Sequence, residues 1–199
     1  MTAQEIYKKE TGLSATNIIN YKYTNDYINW LQKTVEKQHE PTILKWIKEM
    51  FEHAEKKKWF ETYWSFDIHG TISKPDYRKD NKEIIYYPYA KETLKILSER
   101  KDIIMIMNTS SYPDELEIYK KQFKNDNINF NYFGENPEVT SAGGSFGYYK
   151  TKFYFNVEFE DKAGFDPKRD WKFLYEYFLN TEYRPNENWS TKTNEDYHK

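Results

Sequence analysis

The stretch Tyr63-Trp-Ser-Phe-Asp-Ile-His-Gly-Thr-Ile72 decides the predicted fold of this chain. Its first residues are apolar and aromatic, which is typical of a strand buried on both faces. Asp67 ends this run, and the pair Gly70-Thr71 then breaks the strand. In open α/β sheets, ligands bind just beyond the carboxyl ends of the strands. A carboxylate at that place can act as a nucleophile or as a metal ligand, so we expect a site around Asp67.

Further apolar runs predict strands at 103–107, 128–133 and 152–159, with helical patterns between them. Prolines are favoured in the first turn of a helix, and they precede these helices at Pro88, Pro113 and Pro167. Strands that alternate with helices are typical of an α/β fold. The sequence therefore predicts a mostly parallel sheet flanked by helices.

The chain before this core predicts helices. Thr24-Asn25-Asp26 offers N-cap residues for one helix, and Pro41 begins a second one. We therefore expect an N-terminal helical segment at 1–58 packed on the core, a core at 59–180 and a polar C-terminal tail at 181–199. The segment 1–58 could alternatively serve as a platform for a partner or substrate.

Composition excludes several classes of protein. The chain has 199 residues and a net charge of −2, so a strongly electrostatic binder of nucleic acid or membrane is not expected. The 19 Tyr, 13 Phe and 6 Trp can build a sizeable core. The chain contains no cysteine, which excludes disulfides and thiolate zinc sites. It also contains no apolar run of membrane length. We expect a cytoplasmic protein without a membrane partner, and we make no prediction of its oligomeric state.

Polar residues follow the second and fourth predicted strands as well. Asn108-Thr109-Ser110-Ser111 follows the second strand, where a hydroxyl and backbone N–H groups can point toward an anion. Glu160-Asp161 follows the fourth strand. The carboxyl ends of parallel strands meet at one edge of a sheet, so these groups are expected near Asp67.

Asp67-Ile-His69-Gly70-Thr71 resembles motif I of the haloacid dehalogenase (HAD) superfamily, D-x-D-G-T, with His69 at the second acidic position. Thr109 is similar to the hydroxyl of motif II. Lys152, or alternatively Lys150, is similar to the lysine of motif III. The resemblance covers about 60–180 and implies a HAD-like Rossmannoid core. Neither cap position has room for a large insert, so the chain looks like a minimally capped member.

The resemblance also implies Mg²⁺ as cofactor and an aspartyl-phosphate mechanism with Asp67 as the nucleophile. The metal ligands implied are Asp67, the backbone carbonyl of His69 and an acidic residue of motif IV. For that acidic residue Asp161 is the first candidate and Asp166 the second. Oxygen ligands of this kind suit Mg²⁺.

The phosphoryl oxygens would be held by Thr109, Ser110 and Lys152. In phosphatases of this family the second aspartate of motif I protonates the leaving group. Here His69 could take that role, because an imidazole exchanges protons near neutral pH.

Two functions follow from the resemblance. The first is a Mg²⁺-dependent phosphatase whose phosphorylated substrate is a small molecule or a nucleic-acid end. The second is a catalytically weak or inactive HAD-like domain that binds Mg²⁺ and an anion in a regulatory role, which His69 favours. The Lys-, Arg- and Tyr-rich segment 74–87 and the run Lys56-Lys57-Lys58 could contact nucleic acid. Of these two interpretations we favour a solvated surface.

Overall fold

A computed structural model of the chain describes residues 2–12, 24, 26–31, 41–75, 83–139, 149 and 152–181. The chain divides into two compact units, 1–41 and 42–199. The boundary between the units therefore lies at 41/42, whereas the sequence led us to expect it after residue 58. None of the helices in these described ranges is long and apolar enough to cross a membrane.

The first unit contains helix α1 (Ala3–Thr11) and a helical stretch at 26–31. The hydroxyl of Thr24 accepts a hydrogen bond from the Tyr27 backbone N–H at 3.2 Å, so Thr24 caps this stretch. Tyr7, Tyr27 and Trp30 pack their rings together, with 5.1 Å between the centroids of Tyr7 and Tyr27. Aromatic residues thus form a small core within this unit.

The second unit is built on a four-stranded sheet with the order β3-β2-β1-β4, and every pair of neighbours is parallel. The strands are β1 (Thr62–Phe66), β2 (Ile103–Met107), β3 (Tyr132–Phe133) and β4 (Val157–Phe159). Phe66 pairs with Met107 on one side and with Phe159 on the other. These strands therefore end level with one another, which confirms the predicted parallel α/β sheet.

The strands β3 and β4 are shorter than the apolar runs that predicted them. Asn131 exchanges two hydrogen bonds with Met105, its backbone N–H donating to the Met105 carbonyl and its side-chain oxygen accepting from the Met105 N–H. Asn156 makes the same pair of bonds with Tyr63. At both places an amide side chain replaces the backbone carbonyl of a ladder, so regular pairing begins only after the asparagine.

Helices cover the sheet, and their starts follow the proline positions only in part. They are α2 (Thr42–Lys57), α3 (Ala90–Ser98), α4 (Pro113–Asn125) and α5 (Asp170–Asn180), with a 3₁₀ turn at Asp161–Ala163. Helix α4 begins at Pro113, as predicted. After Pro88 the chain first passes through Tyr89 with a φ of 66°, a left-handed conformation outside the helix.

The core between the sheet and the helices is aromatic. The rings of Phe66 and Phe159 stack with centroids 4.6 Å apart, and Trp171 of α5 stacks on Phe159. Ile43 and Ile47 of α2 belong to the same buried cluster. Helix α2 is thus part of the core that supports the carboxyl ends of β1 and β4.

Candidate active site at the carboxyl edge of the sheet

Three carboxylates meet where β1 and β4 end. Asp67 directly follows β1, and Glu160 and Asp161 directly follow β4. The Asp67 backbone N–H donates to the Phe159 carbonyl at 3.0 Å, which holds the two strand ends side by side. One oxygen from each carboxylate lies within 4.8 Å of the others. The structure thus brings Asp161 to Asp67, and it adds Glu160.

The pair Gly70-Thr71 positions Asp161. The buried Thr71 hydroxyl accepts a hydrogen bond from the Asp161 backbone N–H at 2.9 Å. Gly70 has a φ of 89°, and a Cβ at this residue would lie 2.7 Å from Oδ2 of Asp161. A side chain at residue 70 would therefore be strained and would also displace the carboxylate. Gly70 thus leaves room for Asp161 beside the loop after β1, and Thr71 holds Asp161 there by a hydrogen bond.

The carboxylates perturb one another. Burial, and after it the nearby charge of Glu160, raises the pKa of Asp67 to about 6. Burial also raises the pKa of Asp161, but hydrogen bonds with the side chains of Glu160 and Lys162 outweigh it and leave that pKa below its ordinary value. Negative charge is therefore concentrated in a partly desolvated place, where a cation would be stabilised.

Among the described residues, Lys162 brings its ammonium group to this cluster. Its Nζ lies 3.1 Å from Oδ1 of Asp161 and 3.5 Å from Oε1 of Glu160. Lys152 lies elsewhere: it precedes the amino end of β4, and its Nζ stands 5.4 Å from the ring centroid of Phe155. The prediction placed Lys152 within a strand from 152 to 159, but β4 is shorter. Lys150, the alternative, lies outside the described residues.

Hydroxyl groups link the loop after β2 to the loop after β1. The Thr109 and Ser111 hydroxyls are 2.8 Å apart, and the Thr109 hydroxyl accepts from the Ser111 backbone N–H at 3.3 Å. The Ser111 hydroxyl lies 3.5 Å from Nδ1 of His69. Thr109 is therefore connected to the site through Ser111. Ser110, which the sequence favoured, is exposed beside this pair.

His69 is exposed, and its ring is held from two sides. Its Nε2 lies 3.0 Å from the Tyr119 hydroxyl of α4, and its Nδ1 faces Ser111. The Tyr119 ring also contacts the imidazole edge to face, with centroids 5.7 Å apart. The side chain is thus oriented by hydroxyl groups. An imidazole that hydroxyls hold in this way can pass a proton to or from a bound group.

Asp166 has a different place. Its backbone N–H donates to Oδ2 of Asp170 at 2.9 Å, and its own Oδ1 accepts from the Lys168 backbone N–H at 3.1 Å. These bonds form the turn that begins α5. The group of carboxylates found among the described residues contains Asp161 and does not contain Asp166. The geometry therefore favours Asp161 as the acidic residue that follows β4.

Several residues of the site were missed by sequence reasoning. Glu160 was seen at the strand end but was not chosen, and Lys162 was overlooked although it directly follows Glu160-Asp161. Ser111 had the same signal as Ser110, a hydroxyl after a strand. Tyr119 carried no such signal, because its spacing along α4 is that of an ordinary core residue.

The similarity of this chain to known proteins is limited. No protein-family model and no curated protein matches the chain. A solved structure of a conserved protein coded by a locus from Bacteroides thetaiotaomicron is similar, with 20% sequence identity and a TM-score of 0.46. The match covers 61% of this chain and 93% of that chain. The resemblance to the HAD superfamily accordingly stays a prediction drawn from the motifs.

Proposed function

We propose that the protein is a HAD-like, Mg²⁺-dependent phosphohydrolase that forms an aspartyl-phosphate on Asp67. The observation that carries this proposal is the convergence of Asp67, Glu160 and Asp161 at the carboxyl edge of the sheet. In open α/β folds this edge is where ligands bind. The hydroxyl-lined loop after β2 supplies donors at the same edge.

The residues present fit Mg²⁺. All three side chains offer carboxylate oxygens, which are the ligands that this ion prefers. Asp67 and Asp161 would hold the ion together with the backbone carbonyl of His69, and Glu160 is close enough to take part. When bound, Mg²⁺ would neutralise charge on the phosphoryl group. The close packing of Gly70 against Asp161 supports this assignment, because it brings that carboxylate against the loop of Asp67.

The chain's own residues account for the transfer. A carboxylate oxygen of Asp67 attacks phosphorus and forms a P–O bond, while the bond to the leaving oxygen breaks. The leaving oxygen takes a proton from His69, which Tyr119 and Ser111 orient. Water then attacks the aspartyl-phosphate, gives a proton back to His69, and releases inorganic phosphate and Asp67.

Positive charge and hydroxyl groups would hold the phosphoryl oxygens. Thr109 and Ser111 are the hydroxyls for this role, since they lie on the loop that contacts His69. Lys162 replaces Lys152 as the proposed cation, because its ammonium group is at the carboxylates. Its side chain is largely exposed, with 78% of its surface accessible. It can therefore move from Asp161 to an entering phosphate at little cost.

The test is release of phosphate from a panel of phosphomonoesters, with Mg²⁺ and with chelator. We expect Mg²⁺-dependent release by the wild type and a loss of at least about 100-fold in Asp67→Asn, because the amide is not a nucleophile. Asp161→Asn should lose most activity. Asp166→Asn is the matched control, since asparagine keeps the oxygen that accepts from Lys168. Equal losses in Asp161→Asn and Asp166→Asn would refute the site assignment.

A HAD-like domain that binds Mg²⁺ and an anion without turnover is the second candidate, and His69 at the acidic position of motif I favours it. Under this alternative, Mg²⁺ raises the melting temperature of the wild type and not of Asp67→Asn, while no substrate releases phosphate. His69→Asp then tests whether turnover can be introduced. Under either function the proposed location is the cytoplasm, and the proposed partner is a phosphorylated small molecule or nucleic-acid end.

A further inference from the structure

We propose that a pocket of the core, separate from the carboxylate cluster, binds a small aromatic anion. The pocket has a volume of about 430 Å³ and is lined by Lys74, Pro75, Tyr87, Pro88 and Lys168. This volume is within the range of about 300–1,000 Å³ that is common for small-molecule sites. None of these lining residues belongs to the carboxylate cluster, so the proposal does not depend on the proposed function.

The walls of the pocket are fixed by backbone pairing. The Lys74 N–H donates to the Ile85 carbonyl at 2.8 Å, and the Tyr87 N–H donates to the Ile72 carbonyl at 3.0 Å. These bonds join 72–74 to 85–87. Tyr87 is buried, with 8% of its surface exposed. The pocket is thus formed by ordered backbone before any ligand binds, which reduces the entropic cost of binding.

The charge of the pocket is positive. Both lysines are exposed, and neither ammonium group makes an ion pair with the part of the chain that the structure describes. The two ammonium groups therefore favour an anionic ligand.

The apolar surface restricts the ligand further. Pro75 and Pro88 present exposed apolar surface, which a bare inorganic ion would leave in contact with water, and the buried Tyr87 completes the apolar lining. A neutral apolar molecule would cover that surface but would gain nothing from Lys74 and Lys168. An aromatic carboxylate, sulfonate or phosphate satisfies both features, with the ring against the prolines and the anion between the lysines.

The experiment uses two dyes with the same ring system and different charge. The probe is 8-anilinonaphthalene-1-sulfonate, and the matched neutral ligand is N-phenyl-1-naphthylamine. Fluorescence titration should show that wild type prefers the sulfonate. In the double variant Lys74→Gln/Lys168→Gln we expect binding of the sulfonate to weaken by about tenfold and binding of the neutral dye to stay unchanged. Binding of the sulfonate should also weaken with added salt.

Control variants separate this pocket from other sites. Lys95→Gln/Lys101→Gln removes the same charge from exposed positions elsewhere and should leave sulfonate binding unchanged. Asp67→Asn should bind the dye as wild type does, whether or not the protein is a phosphatase. The proposal is overturned if the two lysine pairs have equal effects, if the neutral dye binds as tightly as the sulfonate, or if Asp67→Asn loses binding. Melting temperatures confirm that each variant is folded.

Discussion

Glu61→Gln should remove a pH dependence of stability that originates at the amino end of β1. Glu61 directly precedes β1 and is partly buried. The Glu138 carboxylate lies close to it and accepts hydrogen bonds from the hydroxyls of Tyr63, at 3.0 Å, and of Tyr132. Burial, and after it the charge of Glu138, raises the pKa of Glu61 to about 7.

The sign of the effect follows from proton linkage. The folded chain holds a proton on Glu61 up to about pH 7, whereas the unfolded chain releases it near 4.5. Between these values the folded state binds more protons, so the free energy of unfolding falls as the pH rises. The contribution of Glu61 to the free energy of unfolding is fully present below pH 4.5 and is lost as the pH rises through about 7.

The magnitude follows from the same values. The difference between 4.5 and about 7 corresponds to about 3 kcal/mol at about 1.4 kcal/mol for each pH unit. Glu61 keeps contact with water, which screens its interactions, so we expect about 1–2 kcal/mol. Glutamine has a similar shape and no charge to desolvate. Between pH 5 and pH 8 the free energy of unfolding of Glu61→Gln should therefore rise by about 1–2 kcal/mol relative to that of wild type.

Urea unfolding of wild type and Glu61→Gln gives the difference between their free energies of unfolding. Measured at pH 5 and at pH 8, it shows how that difference changes with pH. Glu99→Gln is the control, because Glu99 is an exposed glutamate at the end of α3, remote in sequence from this cluster. A Glu61→Gln effect that is the same at both pH values would refute the reasoning. A control variant with an equal pH-dependent gain would refute it too.

Other substitutions test the loop after β1. Gly70→Ala should destabilise the fold by about 2 kcal/mol, because a left-handed residue becomes strained and its Cβ meets Asp161; urea unfolding measures it. Thr71→Val should cost about 1 kcal/mol and weaken the thermal shift by Mg²⁺, whereas Thr71→Ser keeps the hydroxyl and most of that shift. Trp171→Phe should cost about 1–3 kcal/mol in thermal unfolding, because the indole N–H donates to the buried Thr71 carbonyl at 2.8 Å.

The part of the fold that the sequence predicted best is the part with a continuous apolar pattern. The run at 103–107 forms β2 with the predicted bounds, and every residue of it is buried. The run at 152–159 was misjudged. Its first residues are aromatic and pack on the sheet, yet Asn156 bonds through its side chain, which no apolar pattern reveals. Lys152 was chosen because it is similar to the motif III lysine, and the structure places it before the amino end of β4.

The site was predictable where backbone conformation constrains the residue type. Gly70 and Thr71 were visible because the left-handed turn and the hydrogen bond to Asp161 allow few alternatives. Lys162 and Tyr119 were not visible, because an exposed lysine and a buried tyrosine fit almost any surface and core. Their roles depend on side-chain directions that only the three-dimensional structure gives.

The carboxylates near the two ends of β1 differ in the donors that the protein gives them, and this difference supports a cation site at the carboxyl end. Glu138, near the amino end, is supplied by the protein with two tyrosine hydroxyls as donors. Near the carboxyl end, the side-chain cation that the described residues place at the cluster is Lys162, and its side chain is largely in solvent. Asp67 is ionised there against burial and against Glu160. A raised pKa means that the ionised Asp67 carboxylate is disfavoured in the folded chain, and a bound cation would restore the stability that this ionisation costs.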